Sequence, residues 1–294
     1  MRIDELPQSA RIEDRRGIPG GRGGIGIGTV VVLALIGWAL GIDPRALIGG
    51  AEMLLGGGEQ QQTSAGSTTS SGSPSDEMGH FVSAILGSTE TVWTDIFAQS
   101  GKTYTAPTLV MFSGATQSGC GSARSAMGPF YCPLDQKVYL DTSFFQDLEG
   151  RLGACQVGSK TCQFSQAYVI AHEIGHHVQN LLGVLPKVQQ AQRAMDQTEA
   201  NGLQVRVELQ ADCLAGVWAN RGQAKWDFIE PGDVVSALQT ASAIGDDRLQ
   251  RRSQGYVVPD AFTHGTSAQR SQWFTTGLKS GTVASCNTFR NEQF

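Results

Sequence analysis

The stretch AYVIAHEIGHHVQN, residues 167–180, decides the fold class of this chain. Its apolar residues recur at helical spacing, and His172, Glu173 and His176 form the pattern H-E-x-x-H within it. Residues four apart share one face of a helix, so both imidazoles can bind one Zn²⁺ ion with Glu173 beside the open coordination position. The apolar neighbours indicate a buried helix, in which two histidines and a carboxylate are costly unless a cation balances them. We therefore predict a buried, metal-binding helix.

A third metal ligand is predicted in VELQADCLAG, residues 207–216. Glu208 and Asp212 are four residues apart and face the same side of a predicted helix. Glu208 supplies the third protein ligand in this interpretation, and Asp212 accepts a hydrogen bond from the free nitrogen of a ligating histidine. The alternative for Glu208 is an exposed helix carboxylate. Two histidines and one glutamate leave the fourth position to water, which is typical of a catalytic zinc site.

Composition and charge indicate a globular protein and argue against a protein that binds nucleic acid. The chain has 294 residues, 40% of them hydrophobic, and a net charge of −5, which is typical of a globular protein. None of its 22 Lys and Arg residues belongs to a run longer than two, so the phosphate-binding cluster of a nucleic-acid-binding protein is missing from the sequence.

The N-terminal part of the chain differs from the rest. Residues 23–42 carry no charge and predict one transmembrane helix, with a cleaved signal peptide as the alternative. Residues 1–22 then form a cytoplasmic tail, because five arginines precede the span and one follows closely. Residues 43–77 read as a flexible Gly-, Ser-, Thr- and Gln-rich linker. Residues 78–294 form the main domain, which this single-pass arrangement places in the periplasm or outside the cell.

All six cysteines lie in that main domain. An even number confined to an exported region favours disulfides over a zinc-thiolate site, because no pair shows the close spacing of zinc-binding cysteines. Fifteen connectivities are possible, and pairing of nearest neighbours is the simplest. The cysteines are Cys120, Cys132, Cys155, Cys162, Cys213 and Cys286.

The secondary-structure pattern indicates an α+β fold: a helix-rich domain with a small N-terminal sheet, preceded by the transmembrane helix. Strands are predicted at residues 108–112 and 137–141, separated by a Gly- and Cys-rich loop. The predicted helices cover residues 77–100, 142–152, 163–182, 186–201, 202–220, 231–252 and 267–279.

These motifs resemble those of known zinc peptidases. HEIGHH together with ELQAD resembles the gluzincin metallopeptidases. The segments FYCPLDQKVYLD, ELQADCLAGVWAN, AIGDDRLQ and THGTSAQR resemble the bacterial membrane-anchored neutral zinc metallopeptidase family over nearly the whole chain. The resemblance implies a zincin-like fold and one catalytic Zn²⁺ ion. It also implies ligands at His172, His176 and Glu208, a general base at Glu173, and Asp212 as hydrogen-bond partner of a ligand.

The expected reaction is hydrolysis of a peptide or protein by a zinc-activated water, with Glu173 accepting its proton. We expect His264 to stabilise the oxyanion, with a surface or capping role as the alternative and Tyr256 as a weaker candidate. His177 points about 100° away from His176 around the helix, so we expect it to pack rather than bind metal. Residues 137–141 are the candidate edge strand for substrate binding, with an ordinary core strand as the alternative.

Two other functions fit the same residues. One is a non-catalytic envelope protein with a structural zinc site, and the other is a metallo-hydrolase that cleaves a non-peptide bond. Structural zinc sites usually have four protein ligands rich in cysteine, which favours the enzyme. The natural substrate, endo- versus exopeptidase cleavage and the oligomeric state stay open at this point.

Overall fold

The computed structural model describes residues 1–16, 70–71, 74–150 and 160–290. Residues 1–16 and 69–294 form one compact unit. This unit is a helix-rich α+β domain with a small sheet, which confirms the predicted class. The helices within the described residues are α1 (Glu77–Gln99), α2 (Ser143–Glu149), α3 (Lys160–Leu181), α4 (Val184–Gln192), α5 (Gln197–Trp226), α6 (Asp233–Ala243), α7 (Asp246–Gln254) and α8 (Ser267–Ser280).

Two of the predicted helices are divided differently in the structure. The helix expected over residues 186–201 ends at Gln192, because a capping box between Asp196 and Glu199 starts α5 at the next turn. The helix expected over residues 231–252 breaks at Gly245. A Cβ atom there would lie 2.5 Å from the backbone nitrogen of Ser267, so this break lets the start of α8 approach closely.

The sheet has five strands in the order β2-β1-β3-β7-β6. Strands β1, β3 and β7 are parallel, whereas β2 and β6 run antiparallel to their neighbours. A separate antiparallel hairpin contains β4 and β5. The strands are β1 (Ile12–Asp14), β2 (Ser70–Ser71), β3 (Thr108–Phe112), β4 (Ala115–Ser118), β5 (Gly121–Arg124), β6 (Phe130–Cys132) and β7 (Lys137–Asp141).

The two predicted strands are confirmed with the same bounds, as β3 and β7. Both are buried on both faces, which explains their continuous apolar sequence. Leu109 and Leu140 face the main core with the helices, while Val110 and Tyr139 face a smaller core beneath the hairpin. The expectation that residues 137–141 form the sheet edge is wrong, because the 113–133 loop contributes β6 outside them.

The N-terminal residues belong to the main domain, which corrects the prediction of a separate tail. Strand β1 lies between β2 and β3, and the side chain of Ile12 is buried in the main core. The amino group of Met1 is 3.0 Å from carboxylate oxygens of Glu230 and Asp233. A strand of three residues is too short to be predicted from the pattern of apolar and polar residues in the sequence.

The predicted transmembrane helix at residues 23–42 lies outside the described residues. Those that are described include no helix both long and apolar enough to span a membrane. The predicted linker at residues 43–77 is described only at its end, where Ser70–Ser71 pairs with β1 and Glu77 begins α1.

Disulfides form in the described part of the domain as the cysteine pattern predicts. Cys120 is bonded to Cys132, and Cys213 to Cys286, both in agreement with the simplest pairing. Cys162 is also disulfide-bonded, and Cys155 lies outside the described residues. The bond between Cys213 and Cys286 ties the chain after α8 to the middle of α5.

Candidate metal centre and active-site cleft

Helices α3 and α5 bring the candidate metal ligands together. Their backbones approach closely at Gly175, where a Cβ atom would lie 3.0 Å from the carbonyl oxygen of Ala211. A larger side chain at this position of H-E-x-x-H would push the two helices apart, which explains the glycine. Because the helices are this close, a carboxylate on α5 can reach both histidines on α3.

His172, His176 and Glu208 form one cluster whose ligand atoms all lie within 4.8 Å of one another. Glu208 Oε2 is 3.1 Å from His172 Nε2 and 3.4 Å from His176 Nε2. The two imidazole rings are nearly perpendicular, with centroids 4.8 Å apart. Two imidazole nitrogens and a carboxylate oxygen are the donor set that zinc takes in catalytic sites, so these residues fit the ion.

Each ligand is oriented by a hydrogen bond on its other polar atom. His172 Nδ1 lies 2.8 Å from Asp212 Oδ1. His176 Nδ1 lies 2.9 Å from Gln179 Oε1, and Gln204 Nε2 donates to Glu208 Oε1 at 2.9 Å. In the neutral form of each histidine, Nδ1 therefore carries the proton and the Nε2 lone pair points at Glu208 Oε2. Lone pairs that face a carboxylate repel it, so this arrangement requires a proton or a metal cation between these atoms.

Asp212 is completely buried and joins side chains from three helices. Arg270 of α8 donates to both of its carboxylate oxygens at 2.9 Å, and the Tyr168 hydroxyl also donates to it. Burial opposes ionisation of Asp212, but Arg270 and His172 outweigh it and lower its pKa to about 2. Asp212 is therefore an anion at any physiological pH.

The same charges favour a cation at the ligand cluster. Burial disfavours protonated His172, yet Asp212 and Glu208 outweigh this and raise its pKa to about 10. Burial also opposes ionisation of Glu208, but His176 and His172 hold its pKa well below its usual range. The site thus stabilises positive charge at the point where the three ligands meet.

A cleft of about 790 Å³ opens onto the cluster. Glu173 lies on its wall, beside the ligands, with 7% of its surface exposed. One side of the cleft is formed by β6 and the residues just before it, including Pro129, Phe130 and Tyr131. Among the described strands β6 is the last of the sheet, so its outer edge pairs with no other strand in the part of the chain that the structure describes.

His264 lines this cleft, although 92 residues separate it from His172 in the sequence. Its side chain is 49% exposed, and its Nδ1 lies 3.3 Å from Asp246 Oδ1 and 3.0 Å from the Thr263 hydroxyl. Asp246 Oδ2 also accepts the backbone N–H groups of Thr263, His264 and Gly265. Gly265 adopts φ +89°, a left-handed conformation that allows three successive N–H groups to converge on one carboxylate.

The carboxylate of Asp246 is thereby held in its ionised form. Burial raises its pKa, but the hydrogen bonds from His264 and the neighbouring backbone outweigh it, so the pKa is lowered. This buried anion fixes the turn that presents His264 to the cleft.

The other predicted candidates lie elsewhere. Tyr256 is 63% exposed and does not line the cleft. His177 is fully buried, with Nε2 2.6 Å from the Thr105 carbonyl and Nδ1 3.0 Å from the Tyr131 hydroxyl, so it packs as expected. Tyr131 consequently donates its proton to His177 and does not offer it to the cleft.

Sequence reasoning missed several residues that hold the site. Gln179 is three residues after His176, and Gln204 is four residues before Glu208. Helical spacing places each glutamine beside its ligand, so this spacing could have identified both from the sequence. Arg270, Tyr168 and Asp246 reach the site only through the packing of separate helices, and no local pattern marks them.

Comparisons with known proteins agree with this geometry. The chain is 46% identical over 303 aligned residues to "Uncharacterized protein YpfJ" of Escherichia coli strain K12, covering 98% of this chain and 99% of that protein. It is 44% identical over 217 residues to "Uncharacterized protein Rv2575" of Mycobacterium tuberculosis strain H37Rv, covering 71% and 69%. No solved structure matches. The profile of the family described as "Putative neutral zinc metallopeptidase" matches residues 1–289, and the chain therefore belongs to this family.

Proposed function

We propose that this protein is a zinc-dependent peptidase that hydrolyses peptide bonds in the cleft above α3. The observation that carries the proposal is the convergence of His172, His176 and Glu208 beside Glu173 on one cleft wall. Three protein ligands would leave one coordination position of a bound zinc ion to water, and Glu173 would accept the proton of that water.

The ligands would hold one Zn²⁺ ion, which supplies a polarised carbonyl and a water of lowered pKa. Glu173 accepts the proton of the attacking water and then passes it to the leaving nitrogen of the substrate. Asp212, Gln179 and Gln204 keep the ligands in the required orientation.

His264 is proposed to stabilise the negative charge that develops on the substrate oxygen. It lines the cleft on a turn that is fixed by Asp246. Its Nε2 atom is left for substrate when Nδ1 bonds Asp246 or Thr263. Tyr131 and Tyr168 already donate their hydroxyl protons within the protein, which favours His264 for this role.

The free edge of β6 supports a peptide as the substrate rather than a compound with another hydrolysable bond. An extended peptide can add to such an edge through main-chain hydrogen bonds, which hold it along the cleft past the metal ligands. Phe130 and Tyr131 belong to this strand and line the cleft. This observation also favours an enzyme over a protein with a purely structural zinc site.

We further propose that the domain acts in the periplasm or outside the cell, attached to the membrane through residues 23–42. The disulfides of the described domain favour an oxidising compartment. Residues 1–16 are folded into the same unit, so in this proposal they share its compartment instead of staying in the cytoplasm.

The test is Glu173→Gln in the full chain. Glutamine preserves the shape of the side chain but does not accept the proton, so we expect peptide cleavage to fall about 10²- to 10⁴-fold. We expect the variant to keep one zinc per chain, because Glu173 is not one of the clustered ligands. Zinc content by elemental analysis and cleavage of a peptide library provide the two measurements.

His176→Ala is the matched control for metal binding, since it removes a ligand and should lose both zinc and activity. Wild-type protein that binds zinc but cleaves no peptide would contradict the proposed peptidase and favour a structural site or another substrate class. Full activity in Glu173→Gln would reject Glu173 as the general base.

A further inference from the structure

Gln179 connects a candidate metal ligand to the neighbouring helix. It lies on α3, fully buried, one turn after His176. Its Oε1 atom is 2.9 Å from His176 Nδ1. Its Nε2 atom donates to the backbone carbonyl of Val207 at 2.8 Å and to Gln210 Oε1 at 3.0 Å, both on α5.

The backbone carbonyl of Val207 determines which way the Gln179 amide points. A carbonyl oxygen only accepts hydrogen bonds, so the NH₂ group must face it and the amide oxygen must face His176. His176 Nδ1 must then donate a proton to that oxygen. The neutral imidazole therefore has its lone pair on Nε2, the atom that lies 3.4 Å from Glu208 Oε2.

Gln179 also ties together the two helices that carry the ligands. Val207 immediately precedes Glu208, so the amide holds α5 next to the third ligand while it holds the ring of the second. The groups that bond to the Gln179 amide are buried or partly buried, so water competes little for these hydrogen bonds.

The neutral amide contrasts with the carboxylate that orients the other histidine. Asp212 contributes a negative charge beside His172, and Arg270 offsets that charge through two hydrogen bonds. Gln179 contributes no charge beside His176. With the ligand set of His172, His176 and Glu208 alone, a divalent ion would keep one positive charge, which polarises a substrate carbonyl.

We propose that Gln179 is a positioning residue for the metal: it fixes the tautomer and the ring orientation of His176 and locks α3 to α5 at the third ligand. This extends the motif of this chain to H-E-x-x-H-x-x-Q, residues 172–179. The inference rests on the proposed zinc site, and metal affinity tests it independently of peptide cleavage.

The experiment compares Gln179→Met with wild type in the full chain. Methionine has nearly the same length but makes none of the three hydrogen bonds, so the ring of His176 loses its anchor. We expect the zinc dissociation constant, measured by competition with a chromophoric chelator, to rise about 10- to 100-fold. We also expect the absorption spectrum of the Co²⁺-loaded protein to change, because this spectrum reports ligand geometry.

Gln210→Met is the matched control. It removes one partner of the Gln179 amide but leaves the bonds to His176 and Val207, so its zinc affinity should stay within twofold of wild type. If the methionine variant does not fold, Gln179→Asn replaces it in the experiment. The asparagine side chain is one methylene shorter, so its amide cannot reach both His176 and Val207. It should also bind zinc more weakly than wild type.

A Gln179→Met protein that folds and binds zinc within twofold of wild type overturns the inference. Wild-type protein that binds no zinc overturns the proposed metal site itself, and this inference with it. Weaker zinc binding in Gln179→Met, with an unchanged melting temperature of the metal-free proteins, supports positioning of the ligand over a general role in folding.

Discussion

Individual side chains of this site are held by buried anions with several donors each. Asp212 accepts hydrogen bonds from His172, Tyr168 and Arg270, and Asp246 accepts three backbone N–H groups and lies against His264. In both cases burial alone would favour the neutral acid, and the donors reverse this. We therefore expect that removing one donor weakens the hold of each carboxylate on the histidine beside it.

The role of His264 leads to a prediction at this scale. His264→Ala should lower kcat/KM for peptide cleavage about 10²- to 10³-fold, the loss typical of removing one group that stabilises the oxyanion. Zinc affinity should stay unchanged because His264 is not among the clustered ligands. Steady-state kinetics with a peptide substrate and a zinc competition assay measure the two effects. His80→Ala is the control, since His80 is exposed on α1 and should have no effect. Activity within twofold of wild type in His264→Ala would remove this residue from the mechanism.

At the scale of elements, glycines set how closely the helices of the site can pack. A Cβ atom on Gly277 of α8 would lie 1.8 Å from the carbonyl oxygen of Cys213 on α5. A Cβ atom on Gly216 of α5 would lie 2.2 Å from the carbonyl oxygen of Phe274 on α8. The two backbones are therefore almost in contact, which brings Arg270 within reach of Asp212.

Gly277→Ala should destabilise the domain by roughly 1–3 kcal/mol or more, because α8 must move away from α5 to admit the methyl group. The same shift should separate Arg270 from Asp212. Thermal or urea unfolding of the purified protein measures the loss of stability. Gly202→Ala is a matched control in α5, because no atom lies within 4 Å of its added Cβ. Alanine has the higher helix propensity, so this variant should gain up to about 1 kcal/mol. Equal stability of the two variants would contradict the close contact of α5 and α8.

For the whole molecule, the N-terminal residues are part of the folded domain. Strand β1 is an inner strand of the sheet, between β2 and β3, and Ile12 and Leu6 are buried in the main core. A domain that began at residue 78 would lack this strand and expose the edge of β3.

Ile12→Asp should therefore lower the stability of the whole domain by several kcal/mol, because it places an unpaired carboxylate in the main core. Ala10→Asp is the control, since Ala10 is exposed only two residues earlier and its substitution should cost little. Melting temperatures and retained peptidase activity of both variants provide the measurement. If Ile12→Asp behaves like Ala10→Asp, residues 1–16 form a separate tail, as the sequence alone predicts.

Features that depend on local periodicity could be predicted from the amino-acid sequence. The four-residue spacing of His172 and His176 placed both on one helix face, and the same spacing related Glu208 to Asp212. The apolar runs of β3 and β7 fixed the bounds of both strands, and the paired cysteines predicted disulfides. These signals need only a few neighbouring residues, which is why they could be read without the fold.

The meeting of distant segments at the site depends on helix packing and could not be predicted from the sequence. Only packing of α8 on α5 brings Arg270 to Asp212, and only the break at Gly245 frees Asp246 to hold the turn of His264. The place of β1 in the sheet depends on pairing with β3, which lies far away in the chain. Such pairing follows from the energy of the assembled core, and a three-residue strand carries too little local preference to reveal it.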